Sequence, residues 1–450
     1  MIKYNIDYFG TRITNFSFFL ILILPFSLIS GPAIPDISIS LIGLFFLCFI
    51  ILRNEFSEIY NNKWVFFSII FWLFILFISL FSENKYLAYR DAVIFIRILS
   101  IPIFIYLWIL SDEYKIKLLT LTVCLAVIFV CLDTIYQFTN YDPSIGFGKD
   151  IFGYMPGSEF YGRLSGPFKD LVPGAYVSKF SFIGLVFIFL YFKNIKTQIV
   201  VSIMYLSLSG FVTYISGERM AFATFILGLS LLVIFFKKRR LVFLISIVLI
   251  ILSVFLTNKI HPIYNDYKIV ESTPYHLGLK IEKTYKCDSN NKKECKKIIN
   301  VQPSFFEVLQ NFDDSAYGQI YSLAIKMWKD HPYQGIGLNN FTYLCNNDQR
   351  YKNSIQNHNC VTHPHNFYLQ WLVEIGIIGF FLFLIYIYLI FNFVYKNISS
   401  PFAVISLATL TILFWPIMST GSLLKNWMGV STFFIVGICL SLIRIKQKIL

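Results

Sequence analysis

Two imidazoles stand at an abrupt change of polarity in this chain. His363-Pro364-His365-Asn366 closes a long polar stretch, and Phe367 to Gly379 opens an apolar run of membrane character. An imidazole with an unperturbed pKa of about 6.5 is neutral and basic near pH 7, so a histidine here could take the proton of an attacking hydroxyl. The pattern places His365 in the first turn of the helix. At about 100° per residue, Leu369, Leu372, Gly376 and Gly379 follow on nearly its own face. The two glycines would let a neighbouring helix approach closely. Glu374 falls on the opposite face, roughly 13 Å deeper, and is a poor acid to orient His365. His363, just ahead of Pro364, shapes the entry. The remaining histidines, His261, His276, His331 and His358, lie in the same outer segment, and loop histidines are ordinarily surface residues.

Basic residues offer a second kind of chemistry. Arg219, in Ser216-Gly217-Glu218-Arg219-Met220-Ala221-Phe222, stands at the start of an apolar run. Free N–H groups of a helix start and a guanidinium both favour phosphate oxygens; the alternative is an interfacial arginine paired with Glu218. Arg163 and Lys169 flank a Ser-Gly-Pro turn, which also reads as a solvated loop. Arg90 and Arg97 share one helix face, and an intramembrane arginine is a functional hypothesis by default. Pairing Arg97 with a structural carboxylate such as Asp133 would also explain it; Asp133 and Lys179 could themselves form such a pair near the outer ends of the fifth and sixth apolar runs. No Walker A, GxGxxG, HExxH or Asp-rich metal motif occurs. With inner loops too short for a nucleotide domain, the expected reaction runs outside, without ATP or another cofactor, on a donor that carries its own activated bond.

The elements that must position these residues are membrane helices. The 450 residues are 56% hydrophobic and only 14% charged, with mean hydropathy +0.65; a soluble protein carries about 25% charged residues. Apolar runs of about 18 to 22 residues fall near 14–34, 37–53, 64–82, 90–110, 116–138, 172–193, 197–216, 219–236, 240–257, 366–393, 401–418 and 428–444. The expectation is an all-α polytopic membrane protein of about twelve helices. The first run reads as a retained helix and not as a removed signal.

The formal net charge of +13 is a topology signal and not a nucleic-acid one. With both termini inside, the inner segments hold sixteen Lys and Arg against five Asp and Glu, as the positive-inside rule requires. Three regions follow: helices one to nine over 1–257, with an outer loop at about 139–171; a large outer loop over 258–365; and the last three helices over 366–450. Within the large loop, Tyr317, Ile320, Tyr321, Ala324, Met327 and Trp328 have helical spacing, and His331 to Gly337 ends that helix.

Cysteines follow the same division. Cys48, Cys124, Cys131 and Cys439 lie in apolar runs, whereas Cys287, Cys295, Cys345 and Cys360 lie in the large loop. An even count in an oxidising compartment suggests disulfides, most simply 287–295 and 345–360. Zinc binding is the rival reading, but no CxxC or HxxxH spacing supports it.

These segments together resemble the O-antigen ligase and polymerase family. His365-Asn366, nine residues, then Gly376-Ile377-Ile378-Gly379 is similar to its H-N-x(9)-G-x-x-G signature. Gly217–Phe222, Gly162–Phe168 and Pro332-x-x-Gly335-Ile336-Gly337-x-x-x-Phe341 also fit, in order. The resemblance implies a GT-C-like, inverting, metal-independent membrane glycosyltransferase of the bacterial inner membrane, active at the periplasmic face. Its donor would be undecaprenyl-diphosphate-linked glycan. A ligase passes the glycan to lipid A–core; a polymerase passes it to the next lipid-linked repeat. By motif match His365 is the base and Arg219 holds the diphosphate, with Arg163, Lys169 and Arg97 as further candidates and His363, Asn366, Gly376 and Gly379 in support. Relatives often carry an arginine before the Pro-x-x-Gly-x-Gly turn; Ser315 to Tyr321 has none, leaving Lys326, Lys329 or Arg97 as substitutes. A flippase or other transporter is the rival from another class, and it would call for a charged central cavity and repeated halves.

Overall fold

A computed structural model describes residues 2–53, 56–142, 146–156, 161–170, 172–265, 268–272, 279–286, 294–301, 310, 312–313, 315–352, 360–417 and 421–445. Side chains of 2–9, 265, 268–272, 279–286 and 294–301 are outside the description. Eight described helices are long and apolar enough to cross a membrane. The other four expected spans correspond to apolar helices of 13 to 17 residues, Lys63–Ser79, Arg219–Phe235, Pro401–Leu413 and Asn426–Leu442. The chain divides into two compact units, Met1–Leu119 with Ala316–Gln447, and Thr120–Ser315.

In the first unit, α1 (Ile2–Ser30), α2 (Ala33–Arg53), α3 (Phe56–Asn61), α4 (Lys63–Ser79), α5 (Lys85–Leu99) and α6 (Ile101–Phe104) are followed by a π-turn at Ile105–Ile109. The second unit takes most of α7 (Glu113–Thr139) and all of α8 (Pro173–Tyr191), α9 (Ile195–Ile215), α10 (Arg219–Phe235), α11 (Arg240–Ile260) and α12 (Pro262–Asn265). It also carries a sheet absent from the sequence expectation. Strands β1 (Lys268–Ser272), β2 (Leu279–Lys286) and β3 (Glu294–Val301) pair antiparallel in that order. Leu279-Lys280-Ile281-Glu282 alternates apolar and charged residues as a strand does, a signal hidden by the charge of the stretch. The expected 287–295 cysteine pair lies outside the described residues, as do His276 and His358.

The chain then returns to the first unit as α13 (Ala316–Asp330), α14 (Phe341–Asn347), α15 (Phe367–Tyr395), α16 (Pro401–Leu413) and α17 (Asn426–Leu442). The helical spacing read from Tyr317 to Trp328 is borne out by α13. Its Ile320, Leu323, Ala324 and Met327 bury against Ile336, Phe341, Leu344, Tyr351 and Val373. Each large side chain so buried contributes roughly 1.5–3 kcal/mol. The expected disulfide Cys345–Cys360 is present, with Cα atoms 5.8 Å apart. It ties α14 to the segment leading into His365.

The signature helix is not continuous. Gly376 has φ 69° and ψ −177°, breaking α15. Backbone groups freed inside a membrane helix need new partners, and the Pro332–Gly337 turn supplies them. Ile336 N–H donates to Val373 O (2.9 Å), Gly337 N–H donates to Glu374 O (2.8 Å), and Pro332 O accepts from Ile377 N–H (2.9 Å). Two glycines make this possible. A β-carbon on Gly376 would lie 2.0 Å from Tyr333 O, and one on Gly335 would lie 2.5 Å from the Glu374 carbonyl carbon. The expectation that Gly376 admits a neighbouring helix is therefore corrected: it admits a loop. At Gly379 the nearest atoms belong to Ile375 of the same helix.

Candidate functional site

The histidine corner lies in the first unit. Asn366, not His365, starts α15: its extended backbone makes it the N-cap, and its Oδ1 accepts from Tyr368 N–H (2.9 Å) and Leu369 N–H (3.1 Å). His365 precedes the cap in the left-handed region, φ 54°. The shared-face argument linking His365 to Gly376 and Gly379 thus fails twice, at the cap and at the break. A non-glycine residue held there costs of order 1–3 kcal/mol, and such strain clusters at functional sites. Pro364 before it and the cap after it fix the bend.

Around His365 the side chains converge. The His363 ring lies 4.4 Å from the His365 ring at 39°. His363 is only 8% exposed, and its Nδ1 shares a hydrogen bond of 2.9 Å with Thr362 Oγ1. Tyr317 of α13 meets His365 edge to face, with ring centres 6.0 Å apart. One turn along, Tyr321 hydrogen-bonds the Asn366 side chain, whose Nδ2 also donates to Pro416 O (2.9 Å). Burial holds the His365 pKa below its ordinary 6.5, so the ring is neutral at pH 7. The neutral form is the one able to accept a proton. Glu374, fully buried, accepts from Gln370 Nε2 (3.0 Å); its carboxylate belongs to the break in α15 and not to the histidine pair.

Arg97 has partners of its own. Its Nη1 lies 2.6 Å from Asp36 Oδ1 and 3.3 Å from Ser40 Oγ, and its Nη2 donates to Asn426 Oδ1 (3.0 Å). The carboxylate expected from Asp133 is thus supplied by Asp36. Of the substitutes for the missing arginine, Lys326 donates to Arg350 O (2.6 Å), and Lys329 is exposed.

The arginine corner lies in the second unit. Two distant motifs are laid together there: Leu164 N–H donates to Ser216 O (3.2 Å), and Gly217, φ 76°, leaves room for Arg163, whose Cδ would lie 2.8 Å from a β-carbon on it. Gln137 holds the Ser165-Gly166 turn, its Oε1 accepting from both backbone N–H groups (3.0 and 2.8 Å) and its Nε2 donating to Ser165 Oγ (3.1 Å). The Glu218 carboxylate caps α8, accepting from Gly174 N–H (2.7 Å) and Ala175 N–H (3.2 Å). Burial pushes the Glu218 pKa up to about 7, against the opposing pull of Arg163, these two N–H groups and Lys179. The expected Asp133–Lys179 pair is replaced: Lys179 interacts with Glu218, and Asp133 Oδ1 accepts from Ile151 N–H (2.9 Å). Arg219 and Lys169 are exposed. This corner can attract an anion while holding a carboxylate of its own.

Sequence reasoning missed Tyr317 and Tyr321 as neighbours of the histidines, Gln137 as the turn's anchor, and Glu218 as the α8 cap. For the tyrosines the signal was present, since they are four residues apart and hence on one helix face. Among the described residues, no three His, Cys, Asp or Glu side chains gather as a metal site.

Residues 203–384 match the family described as O-antigen ligase, which supports the resemblance to the O-antigen ligase and polymerase family and, in general terms, a function of that type. No curated protein matches the chain.

Proposed function

With the O-antigen ligase family match as premise, we propose that this chain transfers glycan from undecaprenyl diphosphate to lipid A–core at the periplasmic face of the bacterial inner membrane. The reaction is a direct displacement without metal or cofactor. An acceptor hydroxyl attacks the anomeric carbon, the bond to the diphosphate breaks, and configuration inverts. His365 takes the hydroxyl proton. Undecaprenyl diphosphate leaves with the bonding electrons.

The single observation that carries this reading is the state of His365. It is held in a strained backbone conformation at the head of a membrane helix, and burial keeps it neutral. A neutral imidazole in a partly dry setting is suited to general-base work near pH 7. His363, buried behind it, and Asn366, the helix cap, orient it. By motif match, Arg219 and Arg163 take the role of holding the diphosphate, where guanidinium groups offset the charge gained by a leaving phosphate. Lys169 belongs to the same segment as Arg163. Arg97, tied to Asp36, is assigned to holding its own helices.

The experiment is deletion followed by lipopolysaccharide gel analysis. A ligase predicts bare lipid A–core with lipid-linked polymer accumulating. Core bearing a single repeat would instead identify an O-antigen polymerase, and an unchanged ladder would overturn both.

A further inference from the structure

We infer that Tyr317 forms a sugar-binding subsite beside His365 and takes the apolar face of a pyranose ring of the acceptor glycan. This inference rests on the transferase reading above and adds to it a residue that contacts substrate.

Tyr317 sits in the first turn of α13, at the edge of the helix face that carries the buried Ile320, Leu323, Ala324 and Met327. Its backbone is therefore fixed by a packed core, while its own side chain is 38% exposed. Its ring meets the His365 ring nearly at right angles, 80°, with centres 6.0 Å apart. Tyr321, one turn on, anchors the Asn366 cap through a hydrogen bond. The tyrosine pair thus divides its work: Tyr321 holds the corner and Tyr317 offers surface next to it.

That surface has the right chemistry for a sugar. A pyranose has one or two faces of C–H groups and a rim of hydroxyls. Its C–H face packs on an aromatic ring at ordinary carbon–carbon contact, about 3.5–4.0 Å, while the hydroxyl rim stays free for hydrogen bonds. A tyrosine gives this contact at low conformational cost and carries a polar tip at the wet end. A sugar on the Tyr317 ring would bring its hydroxyl rim within reach of an imidazole one ring-width away. His363 cannot take this part, being 8% exposed.

The test uses the full chain in detergent, with core oligosaccharide released by mild acid from the lipopolysaccharide of the source organism as the probe. Binding is measured directly and needs no turnover. Tyr317→Phe should bind within about 2-fold of wild type. Tyr317→Leu, which keeps bulk but not the ring, should bind about 10-fold more weakly, as should Tyr317→Ala; His365→Asn should bind within about 3-fold. In transfer assays Tyr317→Leu should raise KM for the acceptor about 10-fold with kcat changed less than 3-fold. Equal binding by Tyr317→Leu and wild type, absence of binding by wild type, or a loss confined to kcat would each overturn the subsite. Binding that fails in Tyr317→Leu but persists in an inactive His365→Asn protein supports the subsite. Full transfer by His365→Asn would remove the base assignment while leaving the binding result standing, so the two failures are separable.

Discussion

Gly335 lies against Gly376 so closely that a β-carbon on Gly335 would come within 2.5 Å of the Gly376 nitrogen. Two motifs some forty positions apart thus form a single structural device, a loop seated in the break of a membrane helix. Both residues have positive φ, 69° in each case, so alanine at either meets strain as well as collision.

Gly376→Ala and Gly335→Ala should therefore each expel the loop and cost about 3 kcal/mol or more, as expected for overpacking combined with a left-handed backbone. Gly379→Ala should cost less, because its obstacle is the Ile375 side chain and not backbone. Thermal unfolding of the detergent-solubilised chain checks this. Equal stability of Gly376→Ala and wild type would show that the loop is not seated as described.

His365→Asn is a cleaner probe of the base than alanine. Asparagine tolerates the left-handed region and should leave the melting temperature within a few degrees. Transfer should fall by about 10²–10⁴, the usual value of general-base catalysis. His365→Val, branched at Cβ and unsuited to φ 54°, should lose both activity and stability.

The pH dependence has a defined sign. Burial lowers the His365 pKa from 6.5, so the reactive neutral form persists at pH 7 and is lost only on acidification below 6.5. The kcat/KM profile should show its acid limb on the acid side of 6.5. A limb above 7 would exclude His365 as the titrating base.

Reduction of Cys345–Cys360, which are 15 residues apart, should cost about 3 kcal/mol. It should also lower transfer, because the bond holds the segment that ends at His365 to α14. Thr342 Oγ1, donating to Val361 O (2.8 Å), is a second tie between the same two segments. The Cys345→Ser/Cys360→Ser double variant should be less stable than wild type in oxidising buffer and equal to it under reductant.

Glu218 predicts a pH-dependent stability. Its folded pKa of about 7 exceeds the ordinary 4.5, so the folded chain binds the extra proton between those values. The contribution is fully present below pH 4.5 and is lost as pH rises through 7, with a ceiling of about 3 kcal/mol. Glu218→Gln should flatten stability across pH 5 to 8. A slope equal to wild type would assign the pH dependence to another group.

Much was legible in the sequence because it is encoded locally. Hydropathy located the apolar helices, since a chain in lipid must satisfy its backbone within each helix. Helical spacing located α13. Cysteine placement gave the 345–360 disulfide, and the step from polar to apolar singled out His365. The sheet was missed because its strands are rich in charged residues.

What depended on distant segments was not legible. Periodicity assumes an unbroken helix, so it put His365, Gly376 and Gly379 on one face. The Pro332–Gly337 turn breaks that helix, and Asn366 takes the cap from His365. Arg97 meets Asp36 and Glu218 meets the start of α8 because packing, not spacing, chooses the partner of a charge that burial makes costly to leave alone. The sequence determined which groups this protein has for its chemistry. Only the tertiary structure decided that His365 is strained, neutral and faced by Tyr317, because backbone angle, burial and neighbours arise when segments far apart in the chain close on one another.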